Sequence, residues 1–280
     1  MKGKLFVSKS TGFKDVYKPE KLRVSLLRSG ANKDIVNDIV KEINELVYED
    51  IPTQQIYKKA YSLLKRRSRI SASKYGLKKA VLELGPTGYP FEQLVSQVLK
   101  AEGFEVKVGE TVQGHCVSHE VDVLASKENI NYLVECKYHS EPSRFSNVKI
   151  PLYIQSRFED IDRLWKLNGN SEIYRQGWIY TNTRFSEDAL AYGNCMGLKL
   201  ISWKYPAKGN LESRIRLNGL FPVTCLNELT ISEKQRLIEK KIVTAIELKN
   251  RKEILSKIGI NSPSKIKRVL SEIDALCNQL

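Results

Sequence analysis

Two stretches of this 280-residue chain set charged side chains among aliphatic ones: His119-Glu120-Val121-Asp122-Val123-Leu124 and Tyr132-Leu133-Val134-Glu135-Cys136-Lys137-Tyr138. On a strand alternate side chains share a face, so Glu135 and Lys137 project together while Val134 and Cys136 point the other way. The polar turn Ser126-Lys127-Glu128-Asn129 joins the two runs as a hairpin, which lets Asp122 meet that pair. Charged groups among Val and Leu are costly to bury unless something pairs with them. Asp122 and Glu135 could hold a hard divalent cation, Mg2+ or Mn2+, through their oxygens, with the Lys137 ammonium beside a bound water. That chemistry suits phosphodiester hydrolysis. The cation polarises a phosphoryl oxygen and acidifies its water, and the lysine positions that water.

The bland reading of the same residues is a surface hairpin with ordinary charges. A zinc site is a rival: all three histidines lie within 25 residues, in Cys116-x-x-His119 and Cys136-x-x-His139 spacing beside His115. If residues 132–139 stay extended, Cys136 and His139 face opposite sides of the sheet, which disfavours one shared ion.

The elements that must position the trio follow from periodicity. Phe91, Leu94, Val95, Val98 and Leu99 fall at helical spacing and Gly103 ends that helix. Strand-like runs occupy Phe104 to Val108, His119 to Ala125 and Asn131 to Tyr138. A helix over about 148–167, a strand at Gly177 to Tyr180, a helix from Ser186 to about Met196 and a strand at Leu198 to Trp203 follow. This order predicts an α/β layer with a mixed sheet.

Asp122, then Glu135-Cys136-Lys137 thirteen residues later, resembles the Asp…(Asp/Glu)-x-Lys core of Mrr-like restriction endonucleases and the related archaeal Holliday-junction resolvases. The resemblance covers about residues 88–205. Pro90-Phe91-Glu92 resembles the family's Phe-Glu start, which implies that Glu92 completes the site. The late stretch from Gly177 to Trp203 resembles the family's strand–helix–strand. By the same resemblance Gln155 matches a glutamine near the scissile phosphate. The family implies a metal-dependent DNA endonuclease of the restriction-system kind.

Charge is distributed unevenly. The chain carries +14 overall, with 19 Lys/Arg against 9 Asp/Glu in residues 1–90 and 14 against 8 in residues 206–280. The middle is slightly acidic, with 13 against 15. Basic ends attract phosphate-bearing partners, nucleic acid above all.

In front, Lys4 to Val7 and Val16-Tyr17 read as a hairpin turning through Ser10-Thr11-Gly12, followed by helices at about 19–29, 32–48, 53–67 and 71–84, the last capped by Ser71 or Ser73. Val7-Ser8-Lys9-Ser10-Thr11-Gly12, Tyr17, Lys21-Leu22, Ile51-Pro52-Thr53 and Ile56-Tyr57 resemble the ATP-cone, the regulatory nucleotide-binding domain of ribonucleotide reductases and their repressor. Ala72, Tyr75, Leu77 and Ala80 resemble its closing helix. The resemblance implies that Lys9 and Lys21 hold the phosphates of ATP or dATP, with Thr53 near the nucleotide. Ser10 and Thr11 stand where that family has Arg then Asp. Gly85-Pro86-Thr87-Gly88 lacks the Gly-Lys-Ser/Thr ending of a Walker loop, so motor-type ATP hydrolysis is not expected.

After Pro206 the chain is basic and helical. Ser232 with Gln235 reads as a capping box, and Ser262-Pro263 opens a last helix with Ile266, Val269, Leu270, Ile273 and Leu276 on its apolar face. Lys257-Ile258-Gly259-Ile260 leaves two readings, a helix–hairpin–helix on DNA backbone or a helical packing or dimerisation unit.

The predicted class is α/β (α+β): a mixed-sheet restriction-endonuclease-like core at 88–206, preceded by a mainly helical ATP-cone at 1–86 and followed by a helical region at 207–280. The breaker cluster Gly85-Pro86-Thr87-Gly88-Tyr89-Pro90 reads as the linker. No apolar run reaches the roughly 18 residues of a membrane span. Five scattered cysteines without a Cys-x-x-Cys pair argue against a disulfide scaffold and for the cytoplasm. The expected partners are DNA, a nucleotide and further copies of the chain. A nucleotide-sensing DNA-binding regulator with an inactive nuclease fold, or a junction resolvase, are the alternatives.

Overall fold

The computed structural model describes residues 5–9, 12–169 and 175–277. Lys4, at the start of the expected first strand, and Ser10 and Thr11 of its turn lie outside the described residues.

The front segment runs β1 (Phe6–Ser8), β2 (Lys14–Val16), α1 (Pro19–Arg28), α2 (Lys33–Leu46), β3 (Ile51–Pro52), α3 (Thr53–Arg67), α4 (Arg69–Tyr75) and α5 (Leu77–Leu82). β2 pairs antiparallel with β1, and β3 pairs parallel with its other side. Two residues are too few to carry a strand period, so β3 was invisible in the sequence. The expected helix at 71–84 is two helices meeting at Gly76, where a Cβ would press on the Tyr61 ring at 3.1 Å. Its cap is Ser68, whose side chain accepts from the Ser71 amide, and not Ser71 or Ser73. Leu22, Leu26, Val36, Ile39, Ile43 and Leu64 form a core of their own.

The centre runs α6 (Tyr89–Ala101), β4 (Glu105–Gln113), β5 (Ser118–Lys127), β6 (Ile130–Lys137), α7 (Lys149–Leu167), β7 (Arg175–Thr181), α8 (Glu187–Cys195) and β8 (Lys199–Ile201). The five strands form one sheet in sequence order, antiparallel from β4 to β6 and parallel from β6 to β8. The fold is therefore mixed α/β, as predicted. The β5–β6 turn is tighter than expected: only Glu128 and Asn129 lie between the strands, at φ +53° and +63°. Positive φ at both central residues is the two-residue turn whose twist matches a hairpin, and it sets the register opposite Asp122. Val134, Cys136, Trp178 and Tyr180 meet Phe91, Leu94 and Val98 of α6 on one face. Leu133 and Ile179 meet Ile154, Phe158 and Ile161 of α7 on the other.

The tail comprises α9 (Leu211–Leu217), a 3-10 turn (Val223–Cys225), α10 (Ile231–Glu239), α11 (Ala245–Asn250), α12 (Ile254–Lys257) and α13 (Pro263–Cys277). The capping box that opens α10 is Thr230 with Glu233, two residues before the expected Ser232–Gln235 pair. Leu237, Leu255, Val269 and Ile273 are buried in the same core as α6 and the sheet. Leu77, Val81 and Leu84 of the front segment join that core too. The hydrophobic core thus divides within the front helices, between Ala72 and Leu77, rather than at the breaker cluster. No helix among the described residues is long and apolar enough to cross a membrane.

Candidate active site

Strand alternation holds on β6 and breaks on β5. Val123 sits in the α6 core but Val121, two residues earlier, sits in the α7 core. The exchange falls at Asp122, opposite Gly109, whose φ is +68°. A left-handed residue there reverses the local pleat, which only glycine does at little cost. Asp122 consequently turns its Oδ2 to the Cys136 amide, accepting that N–H at 2.7 Å across the hairpin.

Glu135 is 3% exposed. Lys137 Nζ contacts its Oε1, and Arg157 Nη1 of α7 donates to its Oε2 at 2.9 Å. A buried carboxylate is tolerable only with such partners. Asp122 is pushed up to about 6, first by burial and then by the Glu135 charge, against the pull of the Cys136 amide, Lys137 and Arg157. Glu92, in the first turn of α6, is pushed up to about 7, first by burial and then by the charges of Asp122, Glu120 and Glu135. The charges of Asp122, Glu120, Glu135 and Lys137 thus reach Glu92, which brings the first turn of α6 near the hairpin acids.

Gln155 is not brought there. It donates to Glu159 at 2.8 Å and lines a separate surface cavity with Leu133, Phe158 and Met196. Arg157 is the residue that α7 sends to the trio, and sequence reasoning missed it. A signal was present: Ile154, Arg157, Phe158 and Ile161 follow the i, i+3, i+4, i+7 stripe that faces a core, and a charge on that stripe asks for a buried partner. Its guanidinium also lies 5.6 Å from the Tyr153 ring centre. Asn182, fully buried, was missed as well. It accepts the His139 N–H at 2.8 Å and donates to the His139 carbonyl at 2.7 Å, fastening the chain just past Lys137. Tyr138 fastens the same end to the front segment, donating to the Leu82 carbonyl at 2.6 Å and accepting from the Gly85 amide at 2.8 Å.

The two Cys-x-x-His pairs do not converge. Cys136 lies in the α6 core and the His139 ring meets Ser146 at 3.2 Å. Cys116 and His119 both turn to Asp160. Among the described residues no three His, Cys, Asp or Glu side chains form a ready ligand cluster. Asp122 and Glu135 nevertheless fit a hard cation. Both offer carboxylate oxygens, and Asp122 and Glu92 are raised first by burial and then by neighbouring carboxylates, a crowding of negative charge that a divalent ion would relieve.

In the front segment Lys9 Nζ and Lys21 Nζ meet a single oxygen, Asp15 Oδ2, at 2.9 and 3.0 Å. The two ammonium groups hold that carboxyl well below the usual range. Lys9, Lys21 and Thr53 line one cavity of about 310 Å3 together with Tyr17, Tyr57 and Tyr75.

Comparison with known proteins agrees with the central sheet. Residues 86–204 match the restriction endonuclease family model, and residues 221–277 match the model described as AF1548-like, C-terminal. An uncharacterized protein of Archaeoglobus fulgidus is 34% identical over 183 residues, covering 64% of this chain and 97% of that relative. The chain belongs to the AF1548-like family. The crystal structure of AF1548, a protein of unknown function, superposes with a TM-score of 0.56 at 32% identity, covering 69% of this chain and 100% of that one. This AF1548-like protein thus combines a restriction-endonuclease-like nuclease domain with the family's C-terminal domain, and Glu92, Asp122, Glu135 and Lys137 lie inside the former.

Proposed function

We propose that this AF1548-like protein is a metal-dependent DNA endonuclease whose activity responds to ATP or dATP bound at an ATP-cone in front. The observation that carries the nuclease reading is the Glu135–Lys137 contact on β6, with the Asp122 carboxylate bound to the Cys136 amide between them, inside the residues that match the restriction endonuclease family. Asp122 and Glu135 would hold Mg2+ or Mn2+, which when bound polarises the phosphoryl oxygen and acidifies water. Two carboxylates suffice for Mg2+, which draws its remaining ligands from waters and substrate phosphate. Lys137, about one-third exposed, positions the attacking water and offsets charge on the phosphorus. Arg157 pairs with Glu135 and holds its orientation. Glu92, near 7, can take up or release a proton at neutral pH.

Plasmid, linear duplex and four-way DNA incubated with Mg2+ or Mn2+, beside Lys137→Ala, test this reading. Cutting by the parent and not by the variant supports it, and preference for four-way DNA would make the enzyme a junction resolvase. One observation favours a regulator with a silent nuclease fold: Lys137 and Arg157 already neutralise Glu135. Binding without cutting on every substrate would establish that alternative.

The nucleotide reading rests on Lys9 and Lys21 converging on one carboxylate oxygen, a place a triphosphate oxygen could take from Asp15. Nucleotide would act through the oligomeric state, which also suits cleavage of two strands by two copies in the cytoplasm. Oligomer mass measured with and without ATP or dATP tests the coupling, and identical profiles would remove it.

A further inference from the structure

A second cavity, of about 170 Å3, lies where the front helices meet the tail. α3, α5 and the turn after it contribute Tyr57, Lys58, Lys79 and Glu83; the tail contributes Thr224 and Lys234. Lys79 pairs with Glu83 at 3.3 Å. Lys58 and Lys234 have no carboxylate partner among the described residues, so the walls carry an uncompensated positive charge. Lys234 is half-buried and gives one of its three N–H groups to the Thr224 carbonyl at 3.0 Å. Burial pulls its value down, against the opposing charges of Glu83 and Glu272. The Tyr57 hydroxyl is buried with no hydrogen-bond partner. Buried polar atoms without partners are rare and mark a missing ligand, ion or water. Tyr57 and Lys234 both line this one cavity. They therefore face the same space.

We propose that this cavity is a ligand site for a small phosphate-type oxyanion, held by Lys234 and the Tyr57 hydroxyl with Lys58 at its rim. An oxyanion has only acceptors to offer, which is what an unpartnered hydroxyl and two unpaired ammonium groups require. The volume exceeds the roughly 30 Å3 share of one water several-fold and falls below the roughly 300 Å3 of a drug-sized ligand pocket. Phosphate or pyrophosphate is of that size. Occupation would tie α3 to the tail. Tyr57 also lines the front cavity and stacks on Tyr75 at 5.2 Å, so one ring borders both sites.

Calorimetric titration of inorganic phosphate and of pyrophosphate into the full chain, at matched ionic strength, tests the site. The Lys9→Ala/Lys21→Ala variant removes the front-cavity lysines as competitors. Binding should persist in that variant, and should weaken about tenfold or more in Lys234→Gln and in Tyr57→Phe, each of which removes a hydrogen bond to a charged group. Lys58→Ala, at an exposed position, should weaken it less without disturbing the fold. ATP titrated into the double variant separates free phosphate from the phosphates of a nucleotide as the ligand. Heat that vanishes in the Lys9→Ala/Lys21→Ala protein, heat unchanged by Lys234→Gln and Tyr57→Phe alike, or no heat at all would overturn the proposal and leave a water-filled gap.

Discussion

Arg157 Nη1 donates to Glu135 Oε2 at 2.9 Å, and both side chains are nearly buried, at 12% and 4% exposure. This bond ties α7 to the strand that carries the acid. Removing the arginine leaves a buried carboxylate with Lys137 alone. Arg157→Ala should destabilise the protein by about 2–4 kcal/mol in urea unfolding, and Arg157→Lys by less. DNA cleavage should fall in both, because Glu135 loses its second anchor.

Lys137 touches Glu135 on one side and is about one-third exposed on the other. Lys137→Ala should lower single-turnover cleavage by about two to three orders of magnitude while circular dichroism stays unchanged. A variant that cuts at the parental rate would remove the amine from the reaction.

Glu92 and Asp122 titrate near 7 and 6, above their ordinary values of 4.5 and 3.8. Between the ordinary and the raised values the folded protein binds more protons than the unfolded chain, so stability falls as pH rises. Without added metal the melting temperature should therefore decline from about pH 5 to pH 8, and Glu92→Gln should flatten the decline. Mg2+ should stabilise more at pH 8 than at pH 5. Equal Mg2+ stabilisation at both ends would count against carboxylate ligation.

Tyr138 holds the front segment to the residue next to Lys137, through the Leu82 carbonyl and the Gly85 amide. Tyr138→Phe should cost about 1–3 kcal/mol and speed hydrogen exchange at the Gly85 amide. Unchanged exchange at Gly85 would show that this bond does not hold the junction.

Lys9 and Lys21 share Asp15 Oδ2. Lys21→Ala should weaken ATP binding about tenfold or more by calorimetry, and Asp15→Asn should strengthen it by removing the competing anion. Affinity indifferent to both substitutions would take the nucleotide away from this cavity.

How far a linear reading reaches is clearest at the two anchors of Glu135. Glu135 and Lys137 stand two residues apart on one strand, and the pleat alone puts them on one face. Asp122 is assigned to the facing strand from the sequence, but the two-residue Glu128–Asn129 turn that sets its register is tighter than the four-residue turn the sequence suggests. Arg157 needed the roll of α7 on the sheet. The helical stripe contained it, but nothing local says which acid a stripe residue will meet; Gln155, which the resemblance places near the scissile phosphate, bonds to Glu159 instead. The Thr230 cap was missed because neighbouring hydroxyls compete equally until the helix is packed.

The order of helices and strands from α6 to β8, the mixed sheet and the Glu135–Lys137 face were thus settled by the sequence, because φ/ψ periodicities act between near neighbours. Tertiary structure alone decided that Gly109 reverses the pleat at Asp122, that Arg157 reaches Glu135, and that Leu77, Val81 and Leu84 join the central core instead of the front one. Those outcomes come from burying apolar area and pairing charge between segments far apart in the chain, and such energies exist only once the segments are packed.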